Sequence, residues 1–174
     1  MTSSSARTSP VDADVLGSEQ AAFRDAMAAV ASPVAVVTAV DGERAHGTTV
    51  SAFVSLSLAP PMVLVSLAER SRLLAAVRRT GRFGLNVLGA HQADLAAVFA
   101  RTGAERFEGV DWFRSGGLPR LPGSAAWVAC EVADIVIAGD HVVVLAHAVV
   151  SEADGTRPLT YHQRSFGTHT PLSS

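Results

Sequence analysis

The chain contains no lysine; all 14 of its basic residues are arginine. That absence excludes a Schiff base to pyridoxal phosphate, a Walker-type phosphate-binding lysine and a lysine general base. A single cysteine, Cys130, excludes an internal disulfide and any thiolate cluster for zinc. No apolar run reaches the roughly 20 residues that span a bilayer. The N-terminus, MTSSSARTSPVDADVLG, has no apolar stretch of the signal-peptide kind and reads as a flexible polar leader over residues 1–17. A cytoplasmic location is the expectation that follows. The net charge of −2 gives no general attraction to nucleic acid or to an anionic membrane surface.

Several catalytic signatures are missing as well. No G-x-G-x-x-G follows a strand, no G-x-x-x-x-G-K-[ST] occurs, and no G-x-S-x-G elbow presents a nucleophilic serine. The six histidines form no H-x-x-x-H pattern. His141 and His147 share a strand face but stand about 20 Å apart, too far for one ion, so no metal is expected. Cys130 sits in an apolar run and reads as a small core residue. With 48% hydrophobic and 17% charged residues, the chain is expected to form one domain over residues 18–167, followed by a frayed tail at 168–174.

What is present is most distinctive at residues 46–61, HGTTVSAFVSLSLAPP. Val50, Ala52, Val54, Leu56 and Leu58 alternate with Thr49, Ser51, Ser55 and Ser57. A strand sends alternate side chains to opposite faces. One face of this stretch is therefore expected to be core. The other is a row of short hydroxyls around Phe53, which suits either a flat ligand lying along the backbone or an ordinary Ser/Thr-rich edge strand.

The surrounding pattern is mostly strands. Ser18 is a candidate cap for a helix over 19–30, with Phe23, Met27 and Val30 as its apolar stripe. Strands are expected at 34–40, 44–58, 62–67, 83–88, 127–137, 141–150 and 159–166. Two further helices are expected, at 72–80 between the cap Ser71 and the stop Gly81, and at 91–100. Residues 103–123 read as loop. About seven strands joined by short turns, with three short helices, argue a mainly β (α+β) fold, a barrel with peripheral helices.

Two local features carry chemistry. The segment Ser66-Leu67-Ala68-Glu69-Arg70-Ser71-Arg72 follows a buried strand and opens a helix. Its unpaired N–H groups, two serines and two arginines suit a phosphate. The turn Ala138-Gly139-Asp140-His141 puts a histidine at the start of a strand, where it can reach into a cleft.

Taken in order, the blocks FRDAMAAVASPVAVVTA, HGTTVSAFVSLSLAPPMVLVSL, RFGLNVL, HQADLAAVFA, RFEGVDW, Gly139-Asp140-His141 and RPLTYHQRSF resemble the flavin reductase-like family. These are FMN-binding split-barrel proteins that serve as reductase components of two-component flavin-dependent monooxygenases. The resemblance implies a split β-barrel with short peripheral helices. It implies that Thr48, Thr49, Val50, Ser51 and Ala52 lie against the flavin ring, and that Ser66, Leu67, Ser71 and Arg72 hold its phosphate. Asn86 and Phe99 would flank the same pocket. His141 would sit by the nicotinamide as the catalytic residue, and Phe166 would line the nicotinamide groove. The family commonly has threonine and histidine near Leu73-Leu74; the two leucines remove a hydroxyl from the phosphate site, leaving Arg70 or Arg72 to compensate. The pair Ala146-His147 also departs from the family pattern.

The implied reaction is hydride transfer from nicotinamide C4 of NADH or NADPH to flavin N5 of FMN or FAD. The resemblance further implies a homodimer, with reduced flavin passing to a separate monooxygenase. Two other readings stay open from the sequence: a flavin-binding electron carrier or sensor on the same fold, and a flavin-free binding or assembly protein.

Overall fold

A computed structural model describes residues 10–103 and 106–172. The chain enters through helix α1, Pro10–Ala28. Proline suits a first helical position, where its missing N–H would have no partner and its fixed φ fits the turn. The helix therefore starts ahead of Ser18, which lies inside it rather than capping it, and residues 10–17 join the helix instead of a leader. Residues 1–9 lie outside the described residues. Among the described residues nothing covers the apolar stripe: Phe23 is 67% exposed, and the side chains of residues 17–27 are all exposed.

Twelve strands follow, with two more helices among them: β1 Ser32–Pro33, β2 Ala35–Asp41, β3 Arg44–Val50, β4 Phe53–Leu58, β5 Pro61–Ala68, α2 Arg72–Thr80, β6 Arg82–Val87, α3 Ala93–Ala100, β7 Phe113–Ser115, β8 Leu118–Arg120, β9 Ala126–Ala138, β10 His141–Ala153, β11 Leu159–His162 and β12 Ser165–Thr168. The expected loop at 103–123 contains the small hairpin β7–β8. The expected last strand is a hairpin, β11–β12.

Seven strands form one antiparallel sheet in the order β3-β2-β6-β9-β10-β5-β4. Its two edge strands, β3 and β4, are consecutive in the chain and joined only through Ser51 and Ala52. A sheet whose opposite edges are tied so closely must curl until they meet. The Ser66 N–H donates to the Ala52 carbonyl at 2.9 Å, carrying the β4–β5 pairing up to the break between β3 and β4. The hydroxyl-rich stretch is thus two strands, one on each lip of a split barrel.

This division corrects the expected core face. Val54, Leu56 and Leu58 are 55%, 44% and 86% exposed. They belong to an edge strand whose register slips between Ser55 and Ser57, and no other element among the described residues covers their face. The barrel interior is filled instead by Val37, Val50, Val65, Leu67, Phe83, Val142 and Val144, closed by Leu73, Leu74 and Val77 of α2. Helix α2 has local reasons to be where it is. The Ser71 hydroxyl accepts from the Leu74 N–H, and Gly81, at φ +68°, ends the helix in the left-handed conformation.

Strand β2 is buried on both faces. Its other side meets a second core of Val34, Val36, Leu88, Ala96, Phe99 and Leu121, with Phe107 and Trp112 at its margin. Phe99, Phe107 and Trp112 pack edge to face, with centroids 4.9 and 5.4 Å apart. Cys130 lies in the barrel core, fully buried. Burial pushes its thiol pKa up to about 12, so it is a packing residue and not a nucleophile.

Candidate functional site

Because β3 ends the sheet, one side of its backbone has no strand to pair with. Arg106, from the segment after α3, reaches that edge and donates from Nη1 to the Gly47 carbonyl at 2.7 Å. Backbone groups two residues apart point the same way along a strand. Thr49 therefore turns its N–H and C=O toward the same open edge. Gly47 is required here: a Cβ would lie 2.6 Å from Cε1 of Phe99.

A hollow of ≈ 260 Å³ runs beside this edge. It brings together Thr48, Thr49, Val50, Ser51, Ala52, Ser66, Leu67, Ser71 and His141, nine of the residues that the sequence pointed to. Its hydroxyls are partly committed elsewhere. Thr49 donates to the Ala96 carbonyl at 2.7 Å, and Ser71 caps α2. What the wall offers a ligand is small side chains and exposed backbone.

His141 begins β10 and stands in register opposite Ala68 of β5. The preceding Gly139 takes φ +66°, the left-handed conformation that the tight turn demands. The imidazole is 47% exposed, and its Nδ1 lies 2.8 Å from the Asp140 carboxylate. That contact and the ring's charge hold the Asp140 carboxyl below its ordinary range.

Two further cavities continue the hollow. One, of ≈ 390 Å³, shares Thr48, Ala68 and Ser71 with it and is lined by Arg70, Arg72, Arg106 and His46. Burial lowers the pKa of His46, and the charges of Arg44 and Arg72 lower it further; Arg106 is lowered by burial and by Arg72. The other, of ≈ 530 Å³, shares Thr49, Val50 and Ser51 and is mostly apolar. Phe166 lines it beside Tyr161, with the two rings 5.2 Å apart.

Two expected site residues lie elsewhere. Asn86 is fully buried. Its Nδ2 donates to the Val36 carbonyl at 3.2 Å and to Thr38 Oγ1 at 3.3 Å, and its Oδ1 accepts from the Leu121 N–H at 2.9 Å. It ties β2 and β6 to the segment at Leu121 and has no polar atom left for a ligand. Phe99, also fully buried, packs behind Gly47. Both support the wall without lining any of the three cavities.

Arg106 and His46 were not among the expected ligand-binding residues, whereas Arg70 was expected only as a substitute for Arg72 in holding the phosphate. Arg106 lies in the RFEGVDW block, but only the return of that segment to the β3 edge reveals a role for it. The donor set fits a flavin: a flat cradle without bulky side chains, unpaired backbone groups along it, and guanidinium groups at one end.

The model of the family described as flavin reductase like domain matches residues 27–170. A relative from Rhizobium meliloti, named a probable flavin reductase, is 41% identical over 150 residues, covering 84% of this chain and 48% of the relative. This chain thus spans about half the length of that protein. The NADH:riboflavin 5'-phosphate oxidoreductase of Streptomyces pristinaespiralis is 40% identical over 87% of this chain and 89% of its own length. The solved styrene monooxygenase flavin reductase of Pseudomonas putida S12 superposes with a TM-score of 0.80 at 33% identity, over 87% of this chain and 99% of that one. Split barrel, open β3 edge and family match together place this chain in the flavin reductase-like family.

Proposed function

We propose that this protein is an NAD(P)H:flavin oxidoreductase that supplies reduced flavin to a separate monooxygenase. The observation that carries this reading is the unpaired edge of β3, with an arginine-lined cavity at one end of the hollow and His141 on its wall. The flavin, when bound, supplies the acceptor for a hydride from nicotinamide C4. The protein binds and aligns. Backbone groups from Thr48 to Ala52 hold the polar edge of the ring and offer N–H donors where negative charge develops. Arg72 and the first turn of α2 hold the phosphate. His141 orients the nicotinamide, and Tyr161 and Phe166 flank its approach from the apolar side.

The chain is proposed to work as a homodimer, as the uncovered apolar face of β4 and its neighbours suggests. The monooxygenase partner is supported by the styrene monooxygenase flavin reductase, whose barrel this chain shares. Among the described residues no helix is long and apolar enough to cross a membrane, and a cytoplasmic site of action is proposed.

A steady-state assay tests the function. Purified protein should oxidise NADH or NADPH only when FMN, FAD or riboflavin is added. A bound yellow chromophore without turnover would overturn the reductase reading in favour of an electron carrier or sensor. Neither turnover nor bound flavin would leave a flavin-free binding protein.

A further inference from the structure

The hollow beside β3 does not end at the first turn of α2. It opens through Thr48, Ala68 and Ser71 into a cavity larger than itself, ≈ 390 Å³ against ≈ 260 Å³. A single phosphate at the α2 N-terminus, held by Arg72, leaves most of that space unused.

The charges there are one-sided. Arg70, Arg72, Arg106 and His46 face the cavity, and among the described residues no carboxylate lines it. Asp41, which acts electrostatically on His46, is already paired with Arg79. Arg106 spends Nη1 on the Gly47 carbonyl, while its Nε is buried with no hydrogen-bond partner. Burial and repulsion from Arg72 make Arg106 hold its proton less tightly than usual. Cations gathered at this cost are relieved by a polyanion. Moreover, Arg106 and Arg72 come from different walls, the segment after α3 and the first turn of α2, so they can grip two successive anionic groups.

We propose that this cavity takes the pyrophosphate and nucleoside arm of FAD, and that Arg106 is the residue that distinguishes FAD from FMN. The inference rests on the flavin-reductase reading and adds the identity of the flavin. The ring sits along β3, the first phosphate reaches Ser71 and Arg72, and the second phosphate meets Arg106. The nucleoside then occupies the space toward Arg70.

The test is a set of dissociation constants for riboflavin, FMN and FAD, read from the quenching of flavin fluorescence on the full chain, with ADP as a competing probe. FAD should bind about tenfold or more tightly than FMN, the scale of one charge-assisted contact. Arg106→Gln removes the charge and, being shorter, also gives up the Nη1 contact to Gly47; it should remove most of that preference while lowering riboflavin affinity far less than FAD affinity. ADP should displace FAD but not riboflavin. Arg70→Gln, at an exposed position whose change does not threaten folding, should lower FAD affinity more than FMN affinity. Equal FAD and FMN affinities in the unaltered protein would overturn this inference alone. So would an Arg106→Gln variant that loses riboflavin and FAD by the same factor, since Arg106 would then only lock the strand edge. Failure of all three flavins to bind would overturn the reductase reading itself, and this inference with it.

Discussion

At the scale of the residue, the site depends on what side chains leave free. Gly47 has no room for a methyl group, the Thr49 hydroxyl is turned back to Ala96, and Ser71 is spent on its helix. A flat ring can therefore approach the β3 backbone. His141 is the exception, a functional group held at the rim by Asp140 and nearly half exposed. Its exposure means that little stability depends on it, and its place on the rim puts it beyond the phosphate contacts. His141→Ala should therefore lower kcat by roughly tenfold while leaving flavin affinity within about twofold, the pattern of lost alignment of the second substrate. Stopped-flow reduction and fluorescence titration of the same variant separate the two quantities. Equal losses in both would remove His141 from the nicotinamide role.

At the scale of the element, α2 and the two lips of the barrel decide how the site is built. Ser71 and Arg72 are neighbours with different duties. Ser71 caps the helix, so Ser71→Ala should cost about 1 kcal/mol of stability, seen as a lower thermal midpoint. Arg72 has no acidic partner among the described residues and faces the cavity. Changing both to alanine should weaken flavin binding by about 2 kcal/mol, and unchanged binding would reject the helix-N-terminus site. The capped helix could be read from sequence because its signals are local: Ser71 and Gly81 carry the information themselves. The Gly139-Asp140-His141 turn was legible for the same reason. The break between β3 and β4 was not. The period-two alternation runs on through Ser51 and Ala52, and only the partners on each side, β2 for one half and β5 for the other, divide it. The alternation of Val54, Leu56 and Leu58 was real, but which face met the core depended on the curl of the whole sheet. Asn86 shows the same limit, since a strand asparagine in a family block can serve a ligand or a buried network, and here it serves the network. Arg106 acts through a loop that folds back onto β3, a contact that no local spacing encodes.

At the scale of the whole molecule, the outer face of the sheet is the surface on which the proposed second copy would sit. Val54, Leu64 and Leu145 stand side by side across β4, β5 and β10, and Val54 is more than half exposed. Contiguous apolar side chains on an edge strand and its neighbours favour association. That face also adjoins the site, because β5 carries Ser66 and β10 carries His141. A carboxylate at Val54 is tolerated in water but strongly disfavoured in a buried interface without a partner. Sedimentation equilibrium should therefore find the unaltered protein at twice its chain mass and Val54→Asp at the 18.0 kDa of one chain, with the thermal midpoint of the separated barrel lower than that of the assembled pair. A chain that sediments singly at micromolar concentration, or a Val54→Asp variant that still pairs, would rule out this face as the subunit contact.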